Sequence, residues 1–104
     1  MSYNINLPSL VLFKANWCPH CVHFMPIWNA LTRLAPLNRI NMVTVDSDEQ
    51  KDFVEKIKVL RGFPSLFFVP LRGAPMMFGG SRDPVSIVDF VNTAAGEDLL
   101  KLPK

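Results

Sequence analysis

The sequence predicts an α/β fold in which a central mixed sheet is flanked by helices. Short apolar runs alternate with amphipathic segments, which is the pattern of strand–helix–strand units. Helical crossovers separate the first three predicted strands, so these strands are expected to run parallel. A turn at residues 72–74 separates the last two strands and predicts an antiparallel hairpin at one edge of the sheet.

The predicted strands follow from short apolar runs. The residues from Leu10 to Phe13 form a continuous apolar run, which is typical of a buried central strand. Strands are predicted at residues 9–15, 41–45, 65–71 and 75–78. Residues 3–6 are a candidate edge strand, and the sequence before them leaves no room for an opening helix.

The first predicted helix runs from Pro19 to about residue 34. Apolar residues recur along it at a spacing of three, which would form one stripe. These residues are Val22, Met25, Trp28, Leu31 and Leu34. Pro26 is expected to kink the helix by removing one backbone hydrogen bond, and Pro36 is expected to end it.

Two further helices are predicted from end signals. Ser47 and Gln50 have the spacing of a capping box, so a helix is expected from there to about residue 58. Asp83 and Pro84 suit the N-cap and first turn of a last helix, which Gly96 can end. Its inward face is expected to carry Val85, Val88, Val91 and Ala95. The tail after this helix is expected to be loosely held.

Length and composition indicate one globular domain, residues 1–104, with a single core. The chain has 104 residues, a mass of 11.7 kDa and a net charge of +2. Its basic residues are scattered, and no apolar stretch reaches the length of a membrane span. Neither nucleic acid nor a membrane is therefore expected as a partner. The N-terminus lacks the pattern of a signal peptide, which predicts an intracellular protein as written.

The two cysteines carry the clearest chemical signal. Cys18 and Cys21 are the only cysteines in the chain, and two residues separate them. At a helix start, unpaired backbone N–H groups and the positive end of the macrodipole favour a thiolate. The pKa of the leading cysteine is then expected to fall from about 8.5 into roughly the 3.5–7.5 range. Protonated His20 would add positive charge beside the same sulfur. This pattern predicts reversible disulfide exchange.

Two other interpretations of the cysteine pair remain open. A structural disulfide across so small a ring would remove little entropy from the unfolded chain. Zinc is the second alternative, with Cys18, Cys21, His20 and His23 as possible ligands. One helical turn cannot place all four around a tetrahedral ion, so such a site would have to bridge two chains. We therefore expect no metal and no cofactor.

From about residue 10 to residue 92 the chain resembles the thioredoxin superfamily, most closely one catalytic domain of protein disulfide isomerase. Four features carry the resemblance: the Trp-Cys-x-x-Cys motif after an apolar strand, Pro26 five residues after the second cysteine, residues 61–64 and residues 78–82. Residues 61–64 (Arg-Gly-Phe-Pro) are similar to the family's cis-proline loop, and residues 78–82 to its aromatic-Gly-Gly-Arg segment. The resemblance implies a three-layer thioredoxin-like fold with a shortened N-terminus.

The resemblance also implies roles for the motif residues. Cys18 would be the attacking thiolate and Cys21 the resolving thiol. A cis bond between Phe63 and Pro64 would leave the backbone free to grip an extended substrate, and an ordinary tight turn is the alternative there. Trp17, Pro19, Phe63 and Pro64 are the expected substrate-binding residues. Simple packing is the alternative for Trp17.

The chain lacks two charged residues that the family usually has near the cysteines. The family usually buries an acid six residues before the first cysteine, where this chain has Leu12, and Met42 stands where thioredoxin carries a partnering lysine. Arg82 therefore becomes the candidate for lowering the pKa of Cys21, although it could equally be a solvated surface charge. Lys14, four residues before Cys18, is expected to be an exposed residue at the end of a strand, and the alternative is that it adds positive potential near Cys18.

The Pro-His pair between the cysteines resembles the oxidase DsbA, on a compact body like that of an isomerase domain. The implied function is a thiol–disulfide oxidoreductase that forms or isomerises disulfides in protein substrates. A thioredoxin-type reductant and a non-enzymatic redox-sensing or chaperone-like module are the alternatives. The expected partners are proteins or peptides that carry thiols or disulfides, with glutathione or another thiol as redox partner. The chain is expected to be a monomer.

Overall fold

The computed structural model describes residues 4–35, 39–57, 60 and 62–102 of the chain. Strands and helices follow one another in the predicted order. They are β1 (Ser9–Lys14), α1 (Pro19–Leu34), β2 (Asn41–Asp46), α2 (Lys51–Glu55), β3 (Ser65–Val69), β4 (Met76–Met77) and α3 (Pro84–Ala95). Among these helices, none is both long and apolar enough to span a membrane. The predicted α/β class is confirmed.

The four strands form one mixed sheet in the order β2-β1-β3-β4. β1 and β2 are parallel, with Lys14 opposite Asp46 at their ends. β3 is antiparallel to β1, and its first residue, Ser65, lies opposite Phe13. The expectation that all three strands are parallel is therefore wrong for β3. The five-residue α2 is too short to carry the chain back along the sheet, so β3 begins at the end where β2 stops.

The predicted hairpin at the sheet edge is confirmed, because β3 and β4 pair antiparallel. The candidate edge strand at residues 3–6 is not observed over residues 4–6. Leu7 instead donates its backbone N–H to the carbonyl of Asn4 at 3.1 Å, which closes a turn. Residue 3 lies outside the described residues, as does Pro36, which was expected to end the first helix.

The main core lies on the sheet face that α1 and α3 cover. Alternate residues of β1 point to this face, including Leu10 and Leu12, which are fully buried. The core is completed by Phe24, Trp28, Leu31, Ile40, Leu66, Phe68, Ile87, Val88, Val91, Leu99 and Leu100. Across the sheet, residues of β1, β2 and β3 line an open groove of about 510 Å³ together with Phe53 and Ile57. Phe53 stacks on Phe13 there while remaining half exposed.

Helix α1 runs from Pro19 to Leu34, as predicted, with Pro26 inside it, but its inward face differs from the expected stripe. The buried residues are Cys21, Phe24, Trp28 and Leu31. Val22 is exposed over 59% of its surface. A constant spacing of three drifts around a helix with 3.6 residues per turn, whereas spacings of three and four keep to one face.

The capping box expected at Ser47 and Gln50 is wrong. The backbone N–H of Ser47 donates to the carbonyl of Lys14 at 2.8 Å, so it extends the pairing of β1 with β2. Helix α2 starts later, at Lys51, without a side-chain cap. It ends at Glu55, well before the expected end at residue 58, which is not among the described residues.

Helix α3 starts and ends where the sequence predicts. The Asp83 carboxylate accepts the backbone N–H of Ser86 at 2.8 Å, and Gly96 adopts a left-handed conformation with φ of 73°. The inward residues are Ile87, Val88 and Val91, whereas Val85 is 63% exposed. At 100° per residue, Val85 lies roughly a third of a turn away from the centre of that face.

The tail after α3 is fixed to the core as far as it is described, so the expectation of a loose tail is wrong. Leu99 and Leu100 are 4% and 1% exposed. The Asn92 side chain holds both residues. Its Oδ1 accepts their backbone N–H groups at 2.9 and 3.0 Å, and its Nδ2 donates to the Leu100 carbonyl at 2.8 Å.

Candidate active site

The two cysteines lie where β1 ends and α1 begins. Cys18 is the N-cap of α1 and has an extended backbone, with φ of −87° and ψ of 116°. Its N–H donates to the carbonyl of Ala15 at 3.1 Å, and its own carbonyl accepts the N–H groups of Cys21 and Val22. Pro19 suits the first helical position because that residue needs no backbone donor. The motif thus folds as a tight strand-to-helix turn.

Both cysteines are free thiols and both are largely shielded from solvent. Cys18 is 6% exposed and Cys21 is 2% exposed, so Cys18 offers the more accessible sulfur. They pack with Ala15, and Phe63 closes the cluster from the loop before β3. The Cys18 thiol lies 3.5 Å from the carbonyl oxygen of Phe63, to which it can donate.

The surroundings shift the pKa values of the two thiols in opposite directions. Burial opposes ionisation of Cys18, but hydrogen bonds from the Cys21 side chain, the backbone of Cys21 and His20, and the charge of Arg82 hold its pKa below the ordinary value. Burial raises the pKa of Cys21 to about 11, despite a hydrogen bond from the Ala15 backbone. Cys18 therefore ionises first.

Two aromatic residues form a rim beside the cysteines, of which Trp17 is exposed and Phe63 is partly buried. The Trp17 and Phe63 rings meet edge to face, with centroids 6.0 Å apart. Trp17 is 68% exposed, so it is not a core residue, and its indole N–H donates to Asp48 Oδ1 at 3.2 Å. The predicted cis bond between Phe63 and Pro64 is confirmed. Residue 61, the first of the four residues quoted for this loop, lies outside the described residues.

The remaining predicted site residues are near the surface. His20 and Pro19 are exposed on the first turn of α1. Arg82 is exposed as well, and its charge acts on Cys18. The positive charge that lowers the pKa of Cys21 comes from a different residue, Lys14.

Lys14 belongs to a polar cluster that the sequence analysis missed. Its ammonium group lies 3.1 Å from Asp46 Oδ2 and 2.5 Å from Asn16 Oδ1, and Asn16 Nδ2 donates to the same Asp46 oxygen at 3.1 Å. The side chain of Lys14 is only 17% exposed, so its expected placement as an exposed strand-end residue is wrong. Opposite charges at paired strand ends are the signal that would have revealed it.

Asp46 also anchors the loop that follows β2. Its carboxylate accepts the backbone N–H of Asp48 at 2.9 Å and that of Glu49 at 3.4 Å. These backbone donors, together with the Lys14 ammonium, lower the pKa of Asp46 below its ordinary value. Within the part of the chain that the structure describes, no three His, Cys, Asp or Glu residues are arranged to hold a metal ion.

Comparisons with known proteins point to one family. Residues 3–93 match the protein family described as Thioredoxin. Probable protein disulfide-isomerase ER-60 of Schistosoma mansoni is 31% identical over 93 residues, which cover 88% of this chain and 19% of that protein. Protein disulfide isomerase-like 2-2 of Oryza sativa subsp. japonica is 36% identical over 93 residues, covering 88% of this chain and 25% of that protein.

Solved structures share the fold. The first thioredoxin domain of mouse Protein disulfide-isomerase A4 superposes with a TM-score of 0.70 at 25% identity, covering 93% of this chain and 69% of that one. The Trx4 domain of ERdj5 gives a TM-score of 0.73 at 20% identity, covering 85% and 79%. The chain spans a quarter or less of the length of the disulfide isomerases compared above. With a family match over most of its length and relatives above 30% identity, the chain belongs to the thioredoxin family.

Proposed function

We propose that this chain is a thiol–disulfide oxidoreductase that forms or isomerises disulfides in protein substrates. The observation that carries the proposal is the pair of free thiols at the start of α1, whose pKa values are shifted in opposite directions. A low pKa provides a nucleophile at neutral pH, and a raised pKa keeps the second thiol protonated until it is needed. Residues 1–104 would act as one thioredoxin-like domain and as a monomer.

The exchange proceeds through a mixed disulfide. The Cys18 thiolate attacks one sulfur of a substrate disulfide, forms a new S–S bond and releases the other substrate sulfur as a thiolate. Cys21 then loses its proton and attacks the Cys18 sulfur, which releases the second substrate thiolate. Two electrons have then passed from the cysteine pair to the substrate. The reverse sequence oxidises a substrate dithiol, and release of a rearranged substrate before Cys21 attacks isomerises it.

Substrate binding is assigned to the rim beside Cys18. Trp17 presents exposed aromatic surface beside the partly buried ring of Phe63, and the Phe63 carbonyl lies within hydrogen-bonding reach of the reactive sulfur. An extended peptide placed along Phe63 and Pro64 would bring its own sulfur to Cys18, while Pro19 borders the same turn. Backbone recognition of this kind depends little on side chains, so the partners are unfolded or partly folded proteins with thiols or disulfides.

The reduction potential tests the direction of exchange. A thiolate stabilised at Cys18 favours the reduced pair, so the disulfide should be an oxidant. We expect a potential near that of disulfide isomerase, about −180 mV, rather than that of thioredoxin, about −270 mV. Equilibration of the purified chain with glutathione buffers, followed by quantification of both forms, measures it.

The outcome also separates the alternatives. A potential at or below about −250 mV would favour a thioredoxin-type reductant. Turnover on a reduced and on a scrambled protein substrate is the second measurement. A non-enzymatic binding module would be favoured if the chain binds substrate without turnover and its Cys18→Ser variant binds equally well.

A further inference from the structure

The polar cluster of Lys14, Asn16 and Asp46 is unusual in its placement. Lys14 points to the same sheet face as Leu10 and Leu12, which is the face that α1 covers. The side chains of Lys14 and Asp46 are 17% and 13% exposed. Taking an ammonium group out of water is unfavourable unless partners compensate, and the two hydrogen bonds that Lys14 donates to Asn16 and Asp46 do so here. The position of the charge is therefore well defined.

The cluster is connected to the resolving cysteine through one residue. Lys14 directly precedes Ala15, which packs against both cysteines and whose carbonyl accepts the N–H of Cys18. Ala15 is fully buried between the two cysteines. A displacement of the end of β1 would thus reach the Cys21 sulfur directly.

Electrostatics distinguish Lys14 from Arg82. The Lys14 charge favours ionisation of Cys21, whereas the Arg82 charge favours ionisation of Cys18. Leu12 and Met42, which belong to the main core, are apolar and supply no charge there. Cys21 is 2% exposed, and a thiolate at such a site needs a nearby cation more than an exposed thiolate does.

We propose that Lys14 is a positioning residue for the second half of the exchange: held by Asp46 and Asn16, its ammonium group stabilises the Cys21 thiolate that resolves the mixed disulfide. The inference rests on the proposed function. When Cys18 is bound to substrate, Cys21 gives its proton to solvent and attacks the Cys18 sulfur, and the S–S bond to substrate breaks. Lys14 takes no part in bond formation.

The test follows resolution of a preformed mixed disulfide between Cys18 and a cysteine peptide. We expect Lys14→Met to slow peptide release by about threefold to tenfold, because a higher Cys21 pKa lowers the fraction of Cys21 that is ionised. The more basic thiolate is a better nucleophile, but this offsets only part of the loss. The first attack of Cys18 on a small disulfide should keep its rate. Lys14→Arg should restore release, and Lys101→Met, at an exposed lysine beyond α3, serves as the control with the same change in charge.

Other outcomes are equally informative. Unchanged release in Lys14→Met, or equal slowing of attack and release, would overturn the inference. If Arg82→Met slows peptide release and Lys14→Met does not, the role belongs to Arg82 and the inference is wrong. If Lys14→Met fails to fold because Asp46 is left unpaired, Lys14→Gln removes the charge but keeps an amide donor for Asp46, and it should still slow release. Failure of the unmodified chain to resolve the mixed disulfide at all would contradict the proposed function itself.

Discussion

Cys18 and Cys21 lie within one helical turn, yet their sulfurs have different surroundings. Cys18 is at the N-cap, where backbone groups of His20 and Cys21 approach its sulfur. Cys21 is deeper, and burial outweighs the groups that would favour its thiolate. The thiol with the lower pKa is also the one beside Trp17 and Phe63, so the more readily ionised sulfur and the aromatic rim lie together.

A paired substitution at His20 separates the contribution of its side chain from that of its backbone. His20→Ala removes the imidazole but keeps the backbone N–H that stabilises the Cys18 thiolate, whereas His20→Pro removes both. We expect the pKa of Cys18 to rise in both variants and to rise further in His20→Pro. Titration of the ultraviolet thiolate absorbance in a Cys21→Ser background measures it.

His23→Ala is the control for this titration, because His23 is an exposed histidine one turn further along α1. Equal pKa values in His20→Ala and the unmodified protein would remove the imidazole from the mechanism. Equal Cys18 pKa values in His20→Ala and His20→Pro would show that the backbone N–H of residue 20 does not affect this pKa.

The candidate site residues that could be predicted from the sequence are those whose signals are local. The spacing of Cys18 and Cys21 and the Phe63–Pro64 pair can each be recognised in a few consecutive residues. The Lys14–Asp46 pair could not be found in this way, because 31 positions lie between its members and only the register of β1 with β2 brings them together. Strand pairing decides which distant charges meet, and local patterns do not contain it.

Two predicted helix starts show how tertiary pairing competes with local capping. Ser47 has the right spacing for a cap, but its backbone N–H pairs with the end of β1 and α2 begins four residues later. Asp83 follows an irregular segment whose residues belong to no strand, and it caps α3 as predicted. A capping signal is thus most informative where the preceding residues are not held by a sheet.

The Asp83 cap predicts a pH-dependent stability. Hydrogen bonds from the backbone and side chain of Ser86 lower the pKa of Asp83, so the folded state favours the charged carboxylate. Its contribution is complete above the unfolded pKa of about 3.9 and is lost as pH falls through the lower folded pKa. Asp83→Ala should lower the melting temperature by roughly 5 °C at neutral pH, and the difference should shrink in acid.

Thermal unfolding followed by circular dichroism between neutral and acidic pH measures this difference. Asp89→Ala, at an exposed position within the same helix, is the control. Asp83→Asn should keep most of the cap while losing the pH dependence. A constant difference between Asp83→Ala and the unmodified protein at every pH would show that the charge of Asp83 does not contribute.

In the molecule as a whole, the sheet brings three strand ends to one place. β1 and β2 both stop beside the cysteines, and β3 starts there, so the loop with Phe63 faces the start of α1. The strands and the edge hairpin were predictable from apolar runs and a turn. The direction of β3 was not, because it depends on how far the chain travels between β2 and β3, and helix length is poorly fixed by sequence alone.

The tail beyond α3 contributes to the stability of the whole molecule. Leu100→Ala should reduce the free energy of unfolding by about 2–5 kcal/mol, because it leaves a cavity in the main core. Asn92→Ala should reduce it by about 1–3 kcal/mol, since backbone groups of Leu99 and Leu100 lose their partner. Urea unfolding at neutral pH measures both.

Leu71→Ala is the control for this comparison, since Leu71 is 59% exposed and should change stability by less than about 0.5 kcal/mol. A loss at Leu100 no greater than that at Leu71 would contradict a structural role for the tail.

The attachment of the tail by Asn92 has a consequence for where this folding unit can be cut. The match to the family ends at residue 93, but the hydrophobic core is closed by Leu99 and Leu100. A fragment that ends at residue 93 would retain the Asn92 side chain but lose the backbone of residues 99 and 100, to which it binds. Helix α3 would also lose Gly96, its C-cap. The boundary of sequence similarity and the boundary of cooperative folding are therefore different here. Expression fragments should extend at least to Leu102, which still packs against the core.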